Sequence, residues 1–373
     1  MDLRRIRLLG LLISRLRYVL YLLSIGKFKM AYNHLWVGAF SYDAGIALLD
    51  PFYRRFPFLV PLPRTIEIEV TTRCHLKCVF CEQTYWHEPP RDMSFEQFKN
   101  IVDQLPLKWV GTIGIGTAFL NKDYMKMLEY LKSKDIFVEL YDTFDLIDDK
   151  TLEKLVSLKI DKISISMDAA TKSTYEKIRV GANFDRVLRN IRKFVEFKKM
   201  QKSPLPELWF HYVVTNVNID EVLPFVDLVR ELTNNSNYAT LINWSNALSF
   251  DETKPIQLNI PGDLREKIVE KAHKLGLFVN WNLNTVDFEC RYTIDRCLKW
   301  TNPLVLVTGH LMPCCITSEA NARDHQKKYS LGNVFEKSFA EIWKSKEFYE
   351  FRKKLLEGKL PAICKNCRVY KIK

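Results

Sequence analysis

Thr65-Ile-Glu-Ile-Glu-Val-Thr-Thr-Arg-Cys-His-Leu-Lys-Cys-Val-Phe-Cys81 is the stretch on which the reading of this chain turns. Ile66, Ile68 and Val70 alternate with polar residues, the period of a strand with one buried face. A loop carrying three thiols, Cys74, Cys78 and Cys81, follows at once. In an α/β protein the loop after the C-terminal end of a strand is where chemistry is placed.

Iron–sulfur cubes usually take four cysteine thiolates. Three on one loop can hold three irons and leave the fourth open to chelate the amine and carboxylate of S-adenosylmethionine (SAM). An electron passed into the sulfonium then releases a 5′-deoxyadenosyl radical, the cofactor carrying the hard chemistry while the protein binds and orients it. The competing reading is a zinc knot. Zinc sites usually need four ligands in paired spacings. No fourth cysteine is near, and His75 and His87 are poorly placed for that pattern.

Beyond the loop the sequence alternates. Ser94 and Gln97 have the spacing of a capping box and open a helix to Leu105. Strands are predicted over Trp109–Ile115, Ile136–Leu140, Lys162–Met167, Leu208–Val214 and Thr240–Trp244. Helices are predicted over Lys122–Lys134, Asp149–Leu158, Phe184–Met200 and Ile219–Leu232. About six strand–helix units imply a parallel sheet with right-handed crossovers, and, being too few for an eight-fold barrel, a partial (β/α)6 barrel. After Ile260 a helix, Gly262–Leu275, leads into a cysteine-bearing region with short strands. The expected division is a basic helical extension over 1–63, a core over 64–260 and a C-terminal domain over 261–373.

The 373 residues carry a net charge of +12, 47% hydrophobic and 27% charged residues, as in an ordinary globular protein. Nine cysteines in two groups make a poor disulfide framework and suit metal ligation in a reducing cytoplasm. The basic residues lack a recognised RNA-binding motif, which counts against nucleic acid. Gly111, Gly114 and Gly116 do not complete a dinucleotide fingerprint. Residues 8–25, LLGLLISRLRYVLYLLSI, are broken by Arg15 and Arg17 and fall short of the ~20 apolar residues that span a bilayer. Two readings stay open for them: an arginine-lined helix on a membrane surface, or a helix covering one side of the protein.

The second cysteine group is Cys297, Cys314 and the pair Cys364-Lys-Asn-Cys367. Spacing alone allows zinc or a second iron–sulfur cluster. Cys290 and Cys315 are left over; either could replace Cys297 or Cys314.

From these motifs residues 64–373 resemble the radical SAM superfamily, in its branch with a C-terminal SPASM or twitch extension. The resemblance implies a cluster that binds SAM on Cys74, Cys78 and Cys81, and one auxiliary 4Fe-4S cluster on Cys297, Cys314, Cys364 and Cys367. It places Phe80 beside the adenine and Ser166 against SAM. It implies that Arg179, in Tyr175-Glu-Lys-Ile-Arg-Val-Gly181, approaches the SAM carboxylate. Gly116-Thr117-Ala118 stands where the family has Gly-Glu-Pro, which binds the SAM amine largely through backbone. Asp142-Thr143-Phe144 stands where it has Thr-Asn-Gly. Gly332-Asn333, Glu341-Ile-Trp343, Arg352, Gly358 and Pro361 match the twitch pattern. The resemblance further implies a reductant protein such as flavodoxin or ferredoxin, and a peptide substrate ahead of a sugar, lipid or other small molecule. A non-catalytic iron–sulfur binding protein is the reading from another class. The acid or base is unknown; Asp168, His211 and Glu82 are candidates with equally good structural readings.

Overall fold

The computed structural model describes residues 16–37, 46, 48–233, 240–247, 251–258, 261–282, 292–294, 297–314, 323–364, 367 and 370–372. Cys290, Cys315 and the first fifteen residues of the basic extension lie outside them. The first strands are β1 (Thr65–Ile68), β2 (Lys77–Cys78), β3 (Trp109–Thr112), β4 (Phe137–Asp142), β5 (Lys162–Ser166), β6 (Arg179–Val180) and β7 (Glu207–Val214). They are followed by β8 (Leu241–Asn246), β9 (Phe278–Asn282), β10 (Tyr292–Ile294), β11 (Leu304–Val305), β12 (Leu311–Met312) and β13 (Tyr370–Ile372).

The chain divides into two compact units that interleave along the sequence. One contains Met1–His34, Cys74–Thr84 and Val138–Cys290; the other contains Leu35–Arg73, Tyr85–Phe137 and Arg291–Lys373.

In the first unit β4, β5, β7, β8 and β9 pair in parallel, with Glu139 opposite Lys162, Ser166 opposite His211 and His211 opposite Asn243. The period of two is plain in β7. Leu208, Phe210, Tyr212 and Val214 are buried, while Trp209, His211 and Val213 face the more open side. The buried face is closed by helix Val222–Thr233, whose Phe225 ring lies 4.7 Å from Tyr212 and 5.8 Å from Trp244. Helix Phe184–Met200 has the predicted bounds. It starts where Asn183 accepts from the Arg186 amide, a cap that satisfies an otherwise orphaned donor. The sequence reading ends the parallel strands at Trp244. Helix Leu264–Lys274 and β9 add one more unit to the same sheet.

In the second unit β1 lies between β3 and β11, parallel to both, and β12 returns antiparallel beside β11. All four residues of β1 are buried, as both faces of an internal parallel strand should be. The capping box is formed: Ser94 accepts from the Gln97 amide and the Gln97 side chain accepts from the Ser94 amide, opening helix Phe95–Asp103. The C-terminal region has its own core, in which Trp343 meets Trp300, Phe339 and Phe348. Among the described residues no helix is long and apolar enough to cross a membrane.

Candidate functional site

The loop bearing the first thiols is held by a two-residue ladder that the sequence did not announce. β2 pairs antiparallel with β6, setting Cys78 directly opposite Arg179. The Val79 amide donates to Ile178 O at 3.0 Å, and Thr84 Oγ1 donates to Cys78 O at 2.7 Å. Gly181 completes the clasp with φ +96°, and a Cβ there would sit 3.2 Å from His75 O. Only glycine enters that region without strain.

Two buried carboxylates, Asp168 and Asp145, anchor the loop. Buried Arg179 pairs through Nε with Asp168, which is fully buried. Its Nη1 lies 3.8 Å from Cys78 Sγ, and its guanidinium carbon lies 5.6 Å from the Phe80 ring centre. Burial alone would lower the Arg179 pKa, but Asp168 and Cys78 hold it above its ordinary value, so the cation persists. Asp168 also accepts from the Val213 amide at 2.7 Å. That makes it the counter-ion of Arg179 rather than an open acid. At the loop's other end His75 Nε2 lies 3.0 Å from Asp145, which accepts from Arg186 Nε at 2.7 Å. Burial works against the Asp145 carboxylate, yet His75 and Arg186 keep its pKa below the usual range.

The thiols respond mainly to burial, which pushes Cys78 up to about 11 and Cys81 up to about 12; the neighbouring thiols add to both and Arg179 opposes the rise at Cys78. A metal must displace the protons that these thiols hold. Three soft sulfur donors beside a buried guanidinium suit an anionic iron–sulfur cluster. Among the described residues no three His, Cys, Asp or Glu side chains close on a single ion. In a cube each thiol takes a different iron.

Ser166 ends β5, and His211 is its partner across the ladder on β7. His211 Nδ1 lies 2.7 Å from Asn243 Nδ2, and its Nε2 lies 3.1 Å from Ser245 Oγ. An amide donor at Nδ1 leaves the hydrogen on Nε2, directed at Ser245. Burial, then the charges of Arg179 and Lys162, push the imidazole down to about 4, so it is neutral near pH 7. Along the same face Lys162 Nζ lies 2.8 Å from Glu139 and 3.1 Å from the Trp209 ring centre, and Tyr141 donates to Glu139 at 3.0 Å. Glu82, the third acid–base candidate, is buried in the turn Glu82–Tyr85.

The two segments that depart from the family pattern keep its backbone requirements at Gly116 and Phe144. Thr117 N donates to Arg73 O at 2.7 Å, and a Cβ on Gly116 would come within 2.5 Å of Arg73 O and 2.7 Å of Thr71 O. Glycine is required there by the approach of the backbone. Phe144, standing where the family has glycine, has φ +60°, in the left-handed region. Asp142 Oδ1 accepts from the Phe144 amide at 2.6 Å, and the buried Phe144 ring meets Phe194 at 5.4 Å. The turn keeps a glycine-like backbone, and ring burial offsets its strain. Gly116 and Thr117 belong to the second unit; Phe80, Ser166, Arg179 and the first three cysteines belong to the first.

The second cysteine group lies in the second unit. The Cys367 amide donates to Cys364 O at 3.1 Å. Burial, then Cys297 and Cys367, push Cys364 up to about 12, and burial with Cys367 raises Cys297. These three thiols therefore feel one another. Cys314 follows β12 by two residues and is partly exposed. Gly309, at φ +84°, turns the β11–β12 hairpin where a Cβ would lie 2.3 Å from Asn333 Oδ1. Arg352 donates to Trp343 O at 2.9 Å.

The radical SAM superfamily profile matches residues 68–229, and that of the SPASM iron–sulfur cluster-binding domain matches residues 297–368. The chain thus carries a radical SAM domain followed by a SPASM domain. As a radical SAM enzyme it uses SAM and a 4Fe-4S cluster, with a SPASM region for auxiliary iron–sulfur chemistry. Among curated relatives, the tungsten-containing aldehyde ferredoxin oxidoreductase cofactor-modifying protein of Pyrococcus furiosus is 26% identical, over 80% of this chain and 86% of its own length. Among solved structures, SAM-bound SuiB of Streptococcus suis matches with TM-score 0.62 and 16% identity, covering 93% of this chain and 92% of that one. SuiB bound to the precursor peptide SuiA matches with TM-score 0.58 and 15% identity, covering 92% and 87%. These likenesses bear out the α/β class expected from the alternation, a parallel-sheet core followed by a SPASM region. Sequence reasoning missed Asp145 as the partner of His75 and Asp168 as the partner of Arg179. Neither carries a motif, although both follow strand ends.

Proposed function

We propose that this radical SAM enzyme holds its SAM-binding cluster on Cys74, Cys78 and Cys81, and abstracts hydrogen from a peptide or protein substrate. When bound, the cluster and SAM supply a 5′-deoxyadenosyl radical. The protein's part is to orient and shield. The Arg179 guanidinium, fixed by Asp168, offers its remaining donors to the SAM carboxylate and to Cys78. Phe80 presents its ring to the adenine and Ser166 its hydroxyl. The observation that carries the reading is the register that sets Cys78 against Arg179.

Cys297, Cys314, Cys364 and Cys367 are proposed to hold one auxiliary 4Fe-4S cluster that relays an electron from the substrate. Residues 64–260 would then be the radical-generating core, 261–373 the auxiliary region and 1–63 an extension. A flavodoxin or ferredoxin is the proposed reductant. Peptide as substrate is supported by the likeness to the peptide-bound SuiB. A second reading, modification of a small molecule, is supported by the cofactor-modifying relative, whose similarity runs over 80% of this chain.

The test is anaerobic reconstitution with dithionite and SAM. The wild-type protein is expected to produce 5′-deoxyadenosine, and Cys78→Ala to fall to background while retaining iron at the second group. Absence of the product from fully reconstituted wild type would overturn the reading in favour of a non-catalytic iron–sulfur protein.

A further inference from the structure

The first unit opens with a helix over 16–24 and, after a turn at Gly26, the helix Phe28–Val37. One stripe of this pair docks on the protein. Tyr18, Val19, Leu22, Met30 and Ala31 are buried in one cluster with Leu205, and Tyr21 packs against it. For residues 16–24 this docking is what the second of the readings left open by the sequence expects; residues 8–15 lie outside the described residues.

A second stripe is left over. Leu16, Leu20 and Leu23 repeat at i, i+4 and i+7, and Ile25, Phe28 and Tyr32 continue it. All six are exposed, Leu16 to 55%, Leu20 to 56% and Phe28 to 69%. Among the described residues these are six of seventeen exposed large hydrophobics, gathered in seventeen consecutive positions. A helix that only covers a protein body needs one apolar stripe, with a polar face toward water. This one has two.

Charge says what the outer stripe meets. Arg17, Lys27 and Lys29 are exposed among the six apolar residues, and no Asp or Glu occurs between residues 3 and 42. A mixture of leucine, aromatic rings and cations without acids fits an interface between headgroups and acyl chains, where the apolar side chains insert and the cations remain at anionic headgroups. We infer that the outer stripe, Leu16, Leu20, Leu23, Ile25, Phe28 and Tyr32 with Arg17, Lys27 and Lys29, is a peripheral docking surface for an anionic lipid bilayer. The helices lie on the membrane; among the described residues neither is long and apolar enough to cross it, and their inner stripe is docked. The inference stands apart from the proposed radical chemistry.

The test is flotation of the full-length protein with vesicles of phosphatidylcholine alone, or with about one-third phosphatidylglycerol. Binding is expected on the anionic vesicles, weaker at high salt, and absent on phosphatidylcholine alone. The double variants Leu20→Ser/Phe28→Ser and Lys27→Glu/Lys29→Glu are each expected to lose roughly tenfold or more in vesicle binding, the first with unchanged thermal unfolding because both side chains are exposed. Lys267→Glu, on an exposed helix elsewhere in the unit, should bind as wild type. Wild-type protein that stays unbound on anionic vesicles would overturn the inference. So would double variants that bind undiminished, or a wild-type dimer that Leu20→Ser/Phe28→Ser converts to monomer without any vesicle binding.

Discussion

The two cysteine groups differ in what surrounds the sulfur. Around Cys78 the dominant neighbour is a buried cation: Arg179 lies against the thiol, is locked by Asp168, and is aligned by a two-residue ladder. Around Cys364 the dominant neighbours are other thiols, Cys297 and Cys367. A group of three thiols with a guanidinium still holding donors in reserve is arranged to admit another ligand. Cys297, Cys364 and Cys367 have one another as charge neighbours, with no buried cation among the causes of the shifts at Cys297 and Cys364. On the proposed reading the first begins the reaction and the second drains it, so disturbing them should produce different failures.

The largest contrast is between Cys78→Ala and Cys364→Ala. The first should abolish SAM cleavage. The second should retain 5′-deoxyadenosine formation yet lose product by mass spectrometry, and equal loss of cleavage in both variants would break the comparison. Next is Arg179→Met, which strands buried Asp168 without its partner. Loss of a buried partner costs about 3–5 kcal/mol, to be read in denaturant unfolding. The same variant should weaken SAM binding while sparing the absorbance of the second group.

Glycine variants separate the groups more gently. Gly181→Ala strains the clasp around Cys78, and Gly309→Ala strains the hairpin before Cys314. Each should cost about 1–3 kcal/mol and lower iron retention only in its own group, measured by iron analysis after desalting. The last effect is one of pH. His211 is held at about 4 in the folded state, below the ordinary 6.5, so the unfolded chain takes the proton first. Its contribution is full above the ordinary value and falls as pH drops from 6.5 toward 4. The loss should be roughly 2 kcal/mol near pH 5, and His211→Gln should flatten that part of the curve in urea unfolding.

Regular elements with a long period were legible in the sequence. The helix Phe184–Met200 and the capping box at Ser94 are cases where local pattern and tertiary packing agree. The ladder between β2 and β6 was not legible, because two residues carry no period. β9 escaped for a different reason: after Ile260 the alternation of apolar residues thins, and its place beside β8 depends on a partner more than thirty residues away. In the candidate site, the thiols and Arg179 were legible through their motifs. The counter-ions Asp168 and Asp145 were not, since an aspartate after a strand looks the same in sequence whether it reacts, caps or pairs.

β1, which leads into the first cysteine loop, has β11 as one of its two neighbours, with Glu67 opposite Leu304. Glu69, just beyond β1, is held by Arg323 at 2.8 Å. A ribosome producing roughly 5–20 residues per second needs on the order of 10–50 s to travel from one strand to the other. Throughout that interval one edge of β1 has no partner, and the carboxylate of Glu69 has no guanidinium. The nascent enzyme therefore passes through a stage in which its cysteine loop is synthesised but the strand leading into it is unsheathed. Oxygen, misplaced metal and aggregation would find this chain most vulnerable then, before Leu304 and Arg323 have left the ribosome.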